Sequence, residues 1–342
     1  MGDVVVGTCS WTDKTMIERW YPRGVSSAEA RLRYYAARFD TVEVDSTFYG
    51  LPQRAHAENW VLRTPPEFTF HVKAYGLMTQ HEVDERALHP DLRGFSHQIT
   101  DRSRVRDPEP AMVEASFEIF LRELEPLRES GKMGGVLMQF PPYFAATYEH
   151  RLHEHLDYLE YAQEQLDGLH MLVEFRHPSW VKGDQLAQTM RFLGDRGMTY
   201  VCVDAPQFAH RETMPPVTAV TSAWAYVRFH GRNRDTYFGR TASAADRFDY
   251  LYTAEELAEW DEPVRELAGE ADHTWAMFNN CRYDYAPRNA REMAEILGDV
   301  VGERASGTPS GVPAEETAGA PGEGEGASAG HDDTGEQLGF GI

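Results

Sequence analysis

Eight short runs of β-branched and aromatic residues, most of them ending in polar side chains, recur between Val4 and Asn279 and constrain the fold more than any other feature. They are Val4–Cys9, Thr41–Asp45, Phe68–Lys73, Gly135–Phe140, His170–Phe175, Thr199–Asp204, Ala225–His230 and Thr274–Asn279. Short apolar runs of this kind suit strands buried on both faces. Helical signals separate most of them. Ser26 and Glu29 have capping-box spacing ahead of Ala30 to Tyr35, and Thr253 with Glu256 repeats it before Leu257. Residues 110–130 and 149–167 carry apolar positions at helical spacing. Asp184 suits the cap of 185–196, Gly197 its stop, and Pro287 the first turn of a final helix through Leu297.

Strands alternating with helices predict a parallel α/β sheet, and eight of them predict closure into a (β/α)₈ TIM-type barrel over residues 1–301. Residues 205–222, with Pro206, Pro215 and Pro216, show no clear helix between strands six and seven, so an open doubly wound sheet is the structural alternative. No Gly-x-Gly-x-x-Gly follows any strand, so a dinucleotide fold gains no support. Residues 88–108 lack periodicity and read as a lid-like loop. Residues 302–342 are rich in Gly, Ala, Glu, Ser and Pro, too apolar-poor to offset their ordering entropy, and are expected to be a disordered acidic tail. Its end, Gln337-Leu338-Gly339-Phe340, could dock a protein partner.

The net charge of -22, with only four lysines (Lys14, Lys73, Lys132, Lys182), speaks against nonspecific nucleic-acid binding, which rests on phosphate neutralisation. It suggests a halophilic cytoplasm, where salt screens charge repulsion. No apolar run reaches the roughly 18 residues of a membrane span, and Met-Gly-Asp-Val-Val-Val-Gly has no basic leader, so a cytoplasmic protein is expected. The cysteines (Cys9, Cys202, Cys281) are odd in number and far apart, as small buried hydrophobes would be.

In a barrel, side chains alternate between interior and helix layer, and chemistry gathers at the C-terminal strand ends. Steps of two pair Glu43 with Asp45, His71 with Lys73, Glu174 with Arg176 and Arg228 with His230. Gln139, Asp204, Asn279 and Asn280 close other strands, His177 follows Arg176, and Trp11 and Tyr49 stand just past strands one and two. Moving an ion out of water costs several kcal/mol unless partners compensate, so each buried charge needs a reason. A structural ion-pair network is one, Glu174 with Arg176 or Arg228 for instance. A site is another. Lys73 among carboxylates could donate a proton, or burial and neighbouring arginines could lower its pKa, with Glu43 and Glu174 as further acid–base candidates. Arg176 and Arg228 could clamp a carboxylate or phosphate. Glu43, Glu174 and Asp204 with His71 or His230 also have the donor types of a divalent-metal site, though no spacing specifies one. Trp11, Phe48, Tyr49, Trp180 and Tyr285 could wall a pocket or simply plug the barrel.

The runs Val6-Gly7-Thr8-Cys9-Ser10-Trp11, Val42-Glu43-Val44-Asp45-Ser46-Thr47-Phe48-Tyr49, Phe70-His71-Val72-Lys73-Ala74, Met138-Gln139-Phe140-Pro141-Pro142, Glu174-Phe175-Arg176-His177-Pro178-Ser179-Trp180, Tyr226-Val227-Arg228-Phe229-His230-Gly231, Asp249-Tyr250-Leu251-Tyr252 and Phe278-Asn279-Asn280 resemble the family called domain of unknown function 72 (YecE-like). The resemblance spans roughly residues 4–297 and implies a TIM-type barrel but no reaction. Asp45 stands where the family usually has Asn, and in Thr79-Gln80-His81 one residue separates the usual Thr-His pair. The expected function is an enzyme, a hydrolase, lyase or isomerase, acting on a small polar or anionic substrate at the C-terminal mouth by general acid–base chemistry. Glu43, Lys73 and Glu174 are its catalytic candidates, and Trp11, Asp45, Tyr49, His71, Gln139, Arg176, His177, Asp204, Arg228, His230, Asn279 and Asn280 its binding candidates. The alternatives are a divalent-metal-dependent sugar isomerase or phosphodiesterase-like hydrolase, and a non-catalytic ligand sensor or adaptor that recruits a partner through its tail.

Overall fold

The computed structural model describes residues 3–210, 212–238 and 248–301. All eight runs form strands, and they close into one parallel barrel. In chain order these are β1 (Val4–Thr8), β2 (Thr41–Val44) and β3 (Thr69–Lys73); then, after an excursion holding β4 (Val83–Asp84), β5 (Gln98–Ile99) and β6 (Arg104–Arg106), β7 (Met133–Gln139), β8 (Met171–Glu174), β9 (Thr199–Asp204), β10 (Trp224–Phe229) and β11 (His273–Phe278). The barrel order is β1-β11-β10-β9-β8-β7-β3-β2, and β1 closes on β2 through the Thr8–Val42 register. Val301 bridges back to Val4 where the described domain ends. No helix among the described residues is long and apolar enough to cross a membrane.

Two apolar layers follow from strand alternation. Val6, Val42, Phe70, Met138, Val173 and Val227 face the helices, while Leu137, Leu172, Val201, Tyr226, Trp275 and Met277 fill the interior. Each such side chain, fully buried, contributes roughly 1.5–3 kcal/mol. The lower interior is therefore a packed plug, and polar chemistry is confined to the upper strand ends.

The helices stand where the periodicity puts them, at Pro110–Glu129, Glu149–Gln165, Asp184–Asp195 and Tyr285–Leu297. The Thr253–Glu256 capping box forms with both of its bonds. Two caps differ. The helix at Ala28–Ala36 starts one residue later than the Ser26–Glu29 spacing implies, so Ser27 caps it by accepting from the Ala30 amide at 3.1 Å. Asp184 lies in the first turn of its helix, after Gly183 in left-handed backbone. There its charge complements the helix dipole.

The prolines of 205–222 do exclude a helix, yet β9 still pairs directly with β10, so the barrel closes and the open sheet does not form. Residues 88–108 are more ordered than a simple loop. They carry β5 and β6, which join β4 in an antiparallel sheet over the buried Val105. Strands of two and three residues are too short to leave a periodic signal. The expected disordered tail and its docking peptide, 302–342, lie outside the described residues.

Candidate active site at the C-terminal mouth of the barrel

Arg228 organises the upper interior. β10 is adjacent to neither β2 nor β8 in the barrel, yet Arg228 reaches both, so its guanidinium crosses the lumen. It donates to both Glu43 oxygens, from Nε at 3.0 Å and from an amino group at 2.6 Å, and to Glu174 Oε2 at 2.5 Å. All three side chains are fully buried. Tyr226, one inward step below, adds its hydroxyl to Glu43 at 3.0 Å. Burial alone would discharge Arg228, but the carboxylates of Glu43 and Glu174 outweigh it and raise its pKa. Burial likewise favours a protonated Glu174, yet Arg228 and His230 overcome it and hold that carboxyl well below the usual range.

A chain of hydrogen bonds continues upward. Gln139 donates to Glu174 Oε1 at 2.7 Å, and His230 Nε2 lies 3.0 Å from the same oxygen. Asn279 Nδ2 lies 2.8 Å from His230 Nδ1, so that nitrogen is the acceptor and Nε2 carries the hydrogen toward Glu174. Burial, only partly opposed by Glu174, pushes the His230 imidazole down to about 4, leaving it neutral near pH 7.

The mouth itself holds Lys73, Asp45, Arg176 and the turn after β2. Lys73 Nζ donates to Asp45 at 2.9 Å and sits 4.5 Å from the centre of the Phe48 ring. Thr47 fixes that turn through its hydroxyl, which donates to the Lys73 carbonyl at 2.5 Å and lies 3.1 Å from the Val44 carbonyl. Phe48 packs edge-to-face on Tyr49 and on His81. Arg176, partly exposed, has one hydrogen bond among the described residues, a long one of 3.4 Å to Glu174. A guanidinium carries five N–H donors. Most of Arg176 is therefore uncommitted.

The structure thus brings together Glu43, Asp45, Lys73, Gln139, Glu174, Arg176, Arg228, His230 and Asn279, with Tyr49 at the rim. It also corrects several expectations. Asp204 has the opposite parity and faces the helix layer, where it accepts from Arg232 at 2.7 Å, Tyr252 at 2.6 Å and Trp260 at 2.8 Å. Asn280 turns outward to Asn289 and the Tyr250 carbonyl. Trp11 is buried against Trp60 and Phe70, also in the helix layer. His177 caps the turn Pro178–Val181 through the Ser179 amide and hydroxyl. His71 shares the inward parity but lies in the plug, edge-on to Tyr226 and Trp275, both at 4.9 Å. Its Nδ1 accepts from the Gly135 amide, and burial pushes it down to about 3. Trp180 stacks on Phe175 in the core. Cys9 and Cys202 are buried, unbridged thiols whose pKa values burial raises.

Glu43 and Glu174 lie beneath the mouth, with no exposed surface and their oxygens committed to Arg228 and its neighbours. Two residues of the cluster were not among the site candidates read from the sequence. Tyr226 needed only one more inward step from Arg228. His81 left no parity signal, because it sits in a loop.

The donor set does not fit the divalent-metal variant. Among the described residues no three or more His, Cys, Asp or Glu side chains group as a metal ion requires. The place between Glu43 and Glu174 is already filled by the Arg228 cation.

The profile of the family described as "Protein of unknown function DUF72" matches residues 5–313. The chain belongs to this family. The UPF0759 protein YunF of Bacillus subtilis strain 168 is 30% identical to this DUF72 chain over 297 residues, 86% of this chain and 94% of that protein. The crystal structure of a DUF72 family protein from Enterococcus faecalis V583 shares the fold with a TM-score of 0.68, at 24% identity over 86% of this chain and 95% of that one. The DUF72 protein from Thermotoga maritima MSB8 gives a TM-score of 0.67 at 30% identity, covering 87% of this chain and 100% of that one.

Proposed function

We propose that this DUF72 chain is an enzyme that binds a small anionic molecule at the C-terminal mouth of its barrel and works on it by general acid–base chemistry. The observation that carries the reading is Arg176: a largely buried guanidinium with one long hydrogen bond among the described residues keeps a planar donor face for a carboxylate or phosphate. Lys73 and Arg176 rise from the strands on either side of β7, and both lie close enough to His81 for their charges to act on its ring. Lys73 is the proton donor in this reading, with Asp45 as the carboxylate that positions it. Glu43 and Glu174 act from below. They fix Arg228, His230 and Arg176 in place and keep the interior charge balanced, rather than touching the substrate.

The test is turnover. Wild-type protein, Lys73→Met and Arg176→Met are each incubated with a panel of phosphate esters, sugar phosphates and small carboxylates, and consumption is followed by mass spectrometry. A compound consumed by the wild type is expected to react about 10²–10⁴-fold more slowly with Lys73→Met, the usual contribution of a general acid or base. With Arg176→Met it should show a raised KM. Equal consumption by all three proteins would sink the proposal.

A further inference from the structure

The loop after β3 fixes the protonation pattern of a histidine that no strand parity points to. His81 Nδ1 lies 2.9 Å from Thr79 Oγ1. Thr79 has a single hydroxyl hydrogen, and the Gly76 carbonyl at 3.2 Å takes it. The Thr79 oxygen then accepts, and His81 Nδ1 carries the hydrogen between them. In a neutral ring Nε2 is left as a bare lone pair.

The loop is built to hold this pattern. Gln80 adopts left-handed backbone, with φ 61° and ψ 24°, which folds the chain back so that the His81 amide reaches the Gly76 carbonyl at 2.9 Å. Thr79 and His81 thus stay bonded despite the residue between them. Phe48 ties His81 to the mouth, its ring 4.9 Å from the His81 ring and 4.5 Å from Lys73 Nζ.

The charged groups around His81 are Lys73, Arg176 and Arg104, with Asp45 bound to Lys73 and Glu174 to Arg176. Burial first, and then those three cations, push its imidazole down to about 3. Beside those three cations a further positive charge is unfavourable. An anion on the two mouth cations cancels part of their field.

We propose that His81 Nε2 is the proton acceptor of this site, serving an anion docked on Lys73 and Arg176. The inference rests on the anion-binding reading above. In the step itself, Nε2 takes a proton from an O–H of the bound molecule or from a water beside it, and the electron pair stays on that oxygen. The imidazolium charge is balanced by the anion, and the charge growing on oxygen faces Lys73. Thr79 is a positioning residue, holding the ring through Nδ1.

The experiment uses full-length protein with histidine labelled in ¹⁵N and ¹³C, the His81 signals being assigned with His81→Gln, and inorganic phosphate as the probe. Calorimetry measures phosphate binding in parallel. The expected result is Nδ1–H in the free protein and an upward shift of the His81 titration by roughly one unit or more with phosphate, the effect of a nearby opposite charge. Arg176→Met should abolish that shift. A free protein with hydrogen on Nε2 overturns the inference directly. Phosphate that binds by calorimetry without moving His81 overturns it while leaving the anion-binding reading intact. Absence of phosphate binding removes both.

Discussion

Among single residues, Arg228 carries the most. Removing one partner of a buried ion pair leaves an uncompensated charge, at about 3–5 kcal/mol. Arg228→Met, which strands Glu43 and Glu174, is expected to lower stability by that amount in urea denaturation. Adding Glu43→Gln and Glu174→Gln to Arg228→Met should recover part of it. A triple variant no better than Arg228→Met would contradict the role of charge. Parity along the strands made Glu43, Glu174, Arg228 and His230 legible from sequence, because inward positions repeat every second residue. Position at the end of a strand, taken without parity, failed for Asp204, which ends its strand one residue out of phase with the interior Val201 and Val203. It failed for Asn280 for the same reason, one step past the inward Asn279. Trp11 was misplaced because position near a strand end says nothing of direction once the chain has turned into a loop.

At the scale of elements, the seam between β1 and β2 is where the barrel closes on a single register pair. Gly7 sits at that seam, and a methyl group there would lie 2.6 Å from the Thr41 methyl and 2.7 Å from its backbone oxygen. Backbone cannot swing aside as a flexible side chain can. Gly7→Ala is expected to cost about 1–3 kcal/mol, the range for overpacking, read as a lower denaturation midpoint with an unchanged slope. Thr253→Ala, which removes the side-chain half of a capping box and leaves the backbone bond to Glu256, should cost about 1 kcal/mol. Strand positions and long helices were readable because burial imposes periods of two and 3.6 residues over many positions. The excursion at 83–106 was not, since its strands are held by pairing with each other rather than by a repeating apolar face.

The whole molecule should respond to pH through its buried histidines. His71 and His230 titrate at about 3 and about 4 in the fold, against roughly 6.5 in an unfolded chain. Because the folded values are depressed, the fold holds both rings neutral and the unfolded chain binds the extra protons. Stability from this source is full above about pH 6.5 and falls as pH drops, by up to roughly 2.7 kcal/mol per pH unit for two protons. Glu174 adds a further loss below the ordinary carboxylate range, since its folded pKa is also depressed. Denaturation midpoints measured from pH 8 to pH 4 should therefore begin to fall well before the carboxylates titrate. A flat profile down to pH 5 would contradict the burial of neutral histidines. The net charge of -22 predicts in addition that stability rises with salt.

The central claim is that the cations at the mouth are arranged for an anion, and anomalous diffraction from crystals soaked in tungstate, a heavy tetrahedral analogue of phosphate, tests it most directly. The account predicts a peak bonded to Arg176 and within reach of Lys73, absent from Arg176→Met crystals. Peaks found only on surface arginines, with the mouth occupied by nothing but water, would contradict it.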